Sequence, residues 1–350
     1  MTASANRFDS EPTTPTDSSG RFGRLWRSFV ALTSEKETGD SLAIFRCFVG
    51  FAYLLSLGTV LRRGLVDVIW VDVKEGGMVH LGQGNRLLAA LGGPTHANVW
   101  LLFWIALAAG IFFTVGLGGR VSAFIALQTY QALYSNNGLT SHGYDVLITN
   151  ALWLCVLGDA TRTLSLDCRR KTGQFSSDEL VNAWPRTIGV LQIIVVYVTT
   201  GLQKLSPVWT PAGGYSALYW VLQDPDWRRY DFRWTASVYP LTQIATAITW
   251  NWEVFSPLML LAFFYRRTRE RKGRLRRLFN RFDLRIPFLA IGLVLHLGIF
   301  LAMNVGEFSL IAVSFYVLFF RPDEVRAASL RGRAFIFRSA RASDSATGAE

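Results

Sequence analysis

Thr199-Thr200-Gly201-Leu202-Gln203-Lys204-Leu205 closes an apolar run that opens near Thr187. A helix that crosses a ~30 Å hydrocarbon core needs about 20 mostly apolar residues, and this run is of that kind. Lys204 then falls at the membrane edge, where an ammonium is costly to desolvate. Two readings stand side by side. The side chain snorkels to the headgroups, as helix-end lysines do, or it is held there for a function.

The rest of the chain follows the same pattern. Of its 350 residues 51% are hydrophobic and 14% aromatic, and the mean hydropathy is +0.26. The expected fold is all-α, a polytopic transmembrane helical bundle of about eight spans, near 41–61, 97–116, 120–135, 144–158, 187–204, 240–265, 286–302 and 307–320. Gly116-Leu117-Gly118-Gly119 and Asn304-Val305-Gly306-Glu307 read as tight reversals between spans. With the N-terminus inside, the cytoplasmic segments hold 27 Lys/Arg and the outer segments 8. That asymmetry places both termini in the cytoplasm, with the chain in the inner membrane of the cell. Residues 1–20, rich in Ser, Thr and Pro, read as a disordered tail without a signal peptide. Residues 21–33 read as an amphipathic helix at the interface or against the bundle, and 324–350 as a basic disordered tail.

The net charge of +11 would suggest nucleic acid in a soluble chain. Here the basic residues flank apolar runs, with ten Lys/Arg in 266–285 alone. The expected partners are therefore the bilayer and its anionic lipids, and no nucleic acid. Three cysteines with no CxxC pair give neither a disulfide framework nor a zinc site. His80, His96, His142 and His296 are too scattered for a metal motif.

On this topology residues 135–143 and 204–239 share the outer face. His142 and Lys204 approach it together, with Asn136, Asn137, Ser141, Asp145, Trp209 and Tyr215. Such a set suits either a proton-handling site or a satisfied polar cap over the bundle. Arg46, inside the first span, reads as paired in the interior with Glu253 or a backbone carbonyl, and is also carried as a candidate ligand-binding residue. Glu253 either faces water or serves the site. His296, on an apolar span, reads as a hydrogen-bonded core histidine.

Thr200-Gly201-Leu202-Gln203-Lys204-Leu205, Trp209 and Gly214-Tyr215 resemble a stretch of the vitamin K-dependent gamma-carboxylase and of its bacterial relatives, which carry the horizontally transferred transmembrane (HTTM) domain. Phe45-Arg46-Cys47-Phe48-Val49-Gly50, Ser141-His142-Gly143-Tyr144, Gly158-Asp159-Ala160, Ser165-Leu166-Asp167, Met303-Asn304, Phe308-Ser309 and Phe320-Arg321-Pro322 are similar to further stretches of that family, in the same order. The likeness covers roughly residues 40–323. It implies that Lys204 is the base that deprotonates a reduced quinone, and that His142 stabilises the resulting oxyanion. Desolvation favours the free amine such a base needs, unless a carboxylate such as Asp145 or Glu253 holds the charge on. The family asparagine beside the histidine is Ser141 here. The chain ends about thirty residues after Phe320, without the extra-membrane region that presents glutamate, so peptide carboxylation is not expected of it alone. Two function classes follow. One is an enzyme acting on a quinol or another lipid-soluble acid. The other is a non-enzymatic membrane factor for maturation, export or immunity of a secreted peptide. A transporter is disfavoured, because no internal repeat is visible.

Overall fold

The computed structural model describes residues 34–328 continuously, together with Gly23, Trp26, Arg27, Val30 and Ala31. The tail expected over 1–20 and residues 329–350 of the one expected over 324–350 lie outside the described residues, as does most of the 21–33 helix; residues 324–328 are helical, and Arg326 among them joins Asp40 and Asp178. A short antiparallel pair, β1 (Lys36–Thr38) with β2 (Leu180–Asn182), precedes two of the long helices and ties their starts together. The other regular elements among the described residues are helices. The main helices are α1 (Asp40–Arg62), α2 (His96–Val115), α3 (Gly119–Tyr134), α4 (Gly143–Gly158), α5 (Trp184–Gln203), α6 (Tyr239–Val254), α7 (Leu258–Arg267), α8 (Arg274–Phe282), α9 (Arg285–Ala302) and α10 (Phe308–Ser314).

Local chemistry sets many of the boundaries. Thr95 caps α2 by accepting from the Asn98 N–H at 3.3 Å, and α2 ends where Gly116 turns left-handed at φ 72°. Gly118 and Gly119 also sit at positive φ, which makes the α2–α3 reversal possible and agrees with the expected turn. Pro185 and Pro240 occupy the first turns of α5 and α6, where the missing N–H has no partner to lose.

Among the described residues four helices are long and apolar enough to cross a membrane, α1, α2, α5 and α9, and the pair α6–α7 makes a fifth if its two parts are one span. The continuous 240–265 span expected from sequence is broken instead, with a bend of 57° between the segments Arg233–Val254 and Leu258–Arg267. Pro257 lacks the N–H the ladder needs and biases Ser256 away from helical geometry. Helix α4, and α10 with its 3-10 extension to Phe319, are apolar but short. Exposed Trp104, Ile111 and Phe112 on α2, and Leu293, Val294, Leu297 and Leu301 on α9, cover outward faces with apolar groups. Helices apolar on both sides fit a lipid surround. The core between them holds Phe45, Tyr53, Phe103, Phe113, Tyr130, Phe315 and Phe319.

The bundle has two chemically distinct ends. At one, Arg267 at the close of α7 pairs with Glu35 and donates to Thr187 Oγ1 at 2.8 Å, near the start of α5. Arg285, opening α9, meets Glu324 and Phe319 O at the same end. At the other end lie the close of α5, the loop 204–238 and the Trp227–Met303 region, where Asn304 N–H donates to Trp227 O at 2.7 Å.

A candidate proton-handling site at the close of α5

Lys204 is the residue immediately after the last turn of α5. Its ammonium forms an ion pair with Glu253 at the close of α6 and lies 4.5 Å from the centroid of the Trp209 ring. Side-chain exposure is 17% for Lys204 and 10% for Glu253, so the pair is largely out of solvent. The α5 sequence explains the approach. Tyr197, Gly201 and Lys204 repeat at helical spacing on one face. A Cβ on Gly201 would sit 2.9 Å from Glu253 Cβ and 3.0 Å from the Val254 backbone nitrogen. Only glycine lets the end of α6 come this close.

One turn further in on that face, a second polar group fills the interior. Tyr197 Oη lies 2.9 Å from His296 Nε2 and 2.9 Å from Tyr316 Oη. Trp252 packs on Tyr197 with ring centroids 4.5 Å apart. His296 is thus the hydrogen-bonded core histidine its apolar helix suggests.

The remaining candidates divide into separate clusters. His142 precedes α4, exposed, its ring stacked on Tyr144 at 5.1 Å. Its backbone N–H donates to Asp145 Oδ2 at 2.7 Å, and Asp145 also accepts from Tyr130 Oη at 2.9 Å. Tyr130 and Tyr134 converge on Ser56. Asp145 is therefore occupied, and Glu253 is the carboxylate that Lys204 meets. Ser141 is exposed beside His142. Among the described residues no hydrogen bond or ring contact joins His142 to Lys204. Asn136 and Asn137 donate to the carbonyls of Trp70 (2.9 Å) and Ile69 (2.8 Å), which fastens the 63–95 loop over the end of α3. Tyr215 is near the Lys204 region, its ring 6.5 Å from Trp250, in a left-handed conformation at φ 54°.

Arg46 belongs elsewhere. It lies two turns into α1, at the end opposite Lys204, and donates to Ala160 O at 2.8 Å and Leu164 O at 2.7 Å. Of the two partners expected for it, the backbone carbonyl is right and Glu253 is not. A ligand at Lys204 would have the length of the bundle between it and Arg46. The left-handed residues Asp159 and Leu164 turn the 159–165 loop so that its carbonyls face the guanidinium.

The HTTM domain model matches residues 35–323, most of the chain. The chain belongs to the HTTM domain family. No curated protein and no solved structure matches it. Within this HTTM domain, sequence reasoning singled out Lys204 and Trp209, which do meet. Glu253 it could name only as one of two possible counterions. The missing signal is the break at Pro257, which ends α6 beside α5.

Proposed function

We propose that this HTTM protein spans the inner membrane eight times with both termini cytoplasmic, and that the Lys204–Glu253 pair handles the proton of a lipid-soluble acid such as a reduced quinone. The 27-to-8 distribution of Lys/Arg supports the orientation. The exposed Trp220, Trp227, Tyr230 and Trp234 of the outer segment suit a headgroup belt.

The observation that carries the reading is one ammonium, largely out of water, with a single carboxylate and one aromatic face as partners. Moving a proton from the ammonium to Glu253 leaves an amine and a carboxylic acid, with no net change of charge. The amine then takes the proton of the ligand hydroxyl, and the restored ammonium holds the oxyanion so formed. The Trp209 ring stabilises the cation in that step. A quinol reaches the pair sideways through the bilayer.

The test is deprotonation of a naphthohydroquinone by the protein in anaerobic nanodiscs, followed by the absorbance of the naphtholate anion. The wild type is expected to generate the anion at neutral pH. Lys204→Arg is expected to remain folded and give none, because a guanidinium does not deprotonate in proteins. Full anion formation by Lys204→Arg would end the base reading and leave the peptide-factor reading in its place.

A further inference from the structure

Between α7 and α9 the chain carries a helix that the Lys204 pair does not use. On α8, Leu275, Leu278 and Phe282 stand at i, i+3 and i+7 and are 61%, 50% and 59% exposed. Arg274, Arg277 and Arg281 repeat at the same spacing one residue earlier, so they form a parallel row about 100° round the helix. The opposite face is fastened to α7. The Phe279 ring packs 5.2 Å from Tyr265, Asn280 Nδ2 donates to Tyr265 O at 3.1 Å, and the Arg276 guanidinium lies 5.3 Å from the Tyr265 ring.

The two outer rows are therefore uncovered by design of the register. Among the described residues the side chains of Arg274 and Arg277 have no hydrogen bond or ion pair, and Arg281 meets only the Phe282 ring. The neighbouring acids are taken, Glu270 by Arg269 and Asp283 by Arg285. The helix connects two membrane-type helices at the arginine-rich end, which puts it at the edge of the apolar belt.

We propose that α8 is an interfacial anchor for the anionic leaflet on that side. Leu275, Leu278 and Phe282 enter the acyl boundary, and Arg274, Arg277 and Arg281 fork onto lipid phosphates. Nucleic acid would use the arginine row and leave the Leu/Phe row in water. A bilayer uses both.

Hydrogen exchange of the full chain in nanodiscs tests this, comparing discs of phosphatidylcholine alone with discs containing one third phosphatidylglycerol. Amides of 274–282 are expected to exchange at least roughly tenfold more slowly in the anionic discs, since each basic residue near such a surface contributes roughly a fivefold gain. High salt should remove most of the difference, as should Arg274→Gln/Arg277→Gln/Arg281→Gln, with the rest of the bundle unchanged. Equal exchange in the two disc types would overturn the proposal. So would slow exchange that persists in the triple variant, which would assign the face to a protein contact instead.

Discussion

At one end of the bundle several arginines are each held by multiple fixed acceptors, while at the other a single lysine has one carboxylate and one ring. Arg186 makes a paired contact with Glu37 at 2.6 and 2.7 Å, donates to Leu318 O and lies over Phe263. Arg285 binds Asp283, Glu324 and Phe319 O. Arg326 joins Asp40 and Asp178. The planar guanidinium keeps its charge and its geometry, which suits a clamp. Lys204 has fewer contacts, one carboxylate and one ring, and under the proposed function it is the cation that gives up its proton. On that proposal the difference separates a region built to hold helices together from one that does chemistry.

The largest effect that could break this contrast is at Arg285. Arg285→Leu removes the one cation that joins Asp283 to Glu324, leaving Asp283 without that partner and Glu324 with the Arg266 cation alone, and a buried pair broken on one side costs about 3–5 kcal/mol. We expect the variant to be recovered unfolded or aggregated, read by size-exclusion in detergent. A monodisperse variant melting close to wild type would show that the clamp is dispensable.

At the other end, Lys204→Met strands the Glu253 carboxylate and should cost about 3 kcal/mol. Adding Glu253→Leu removes the stranded charge, so the double variant should regain most of the stability in thermal melts. If both variants are equally damaged, the pair is a clamp after all and the contrast fails.

The arginine end should also be the acid-sensitive one. Burial would raise the Glu324 carboxyl, but Arg285, the Arg321 N–H and Arg266 outweigh it and hold the group down at about 2, against an ordinary 4.5. A depressed carboxyl stabilises the fold fully above about 4.5, and that contribution is lost as pH falls through about 2. Wild-type melting temperature should fall across this window, and Glu324→Gln should show a shallower fall. An unchanged slope in Glu324→Gln would place the acid sensitivity elsewhere.

Gly201→Ala probes the approach of α5 and α6 without touching a charge. The new methyl meets the Val254 backbone as well as Glu253 Cβ, and a methyl forced into a packed contact costs about 1–3 kcal/mol. The variant should stay folded and lose proton handling at Lys204. Retained handling would mean that the pair tolerates a looser junction.

Particular residues show how far the sequence could be read. Lys204 and Trp209 are five residues apart, so helix end and loop bring them together without long-range knowledge. The Lys204–Glu253 contact spans 49 residues and depends on where α6 stops. Pro257 marked that stop, but the apolar residues around it masked the break. Buried Arg46 was legible from its place in an apolar run. Its acceptors were not, because they are backbone carbonyls presented by two left-handed turns in a loop over a hundred residues away.

The smallest expected effect concerns His142, and it decides how large the chemical region is. His142 lies on the exposed side of Tyr144, so His142→Gln removes one exposed ring contact, worth roughly 0.5–1 kcal/mol. The backbone N–H that Asp145 accepts is kept. With no contact between them, His142→Gln and Lys204→Met should add in stability within about 0.5 kcal/mol. The informative measurement is the same cycle read in naphtholate formation. If His142 donates to the oxyanion while ligand is bound, the two substitutions will be strongly non-additive there and additive in melting, since the ligand alone would link them. Additivity in both would confine the chemistry to Lys204, Glu253 and Trp209 and make His142 part of the polar cap over α4. Coupling already present in the melts would mean that the two clusters touch in the ligand-free protein, and the division of this end into separate clusters would be wrong.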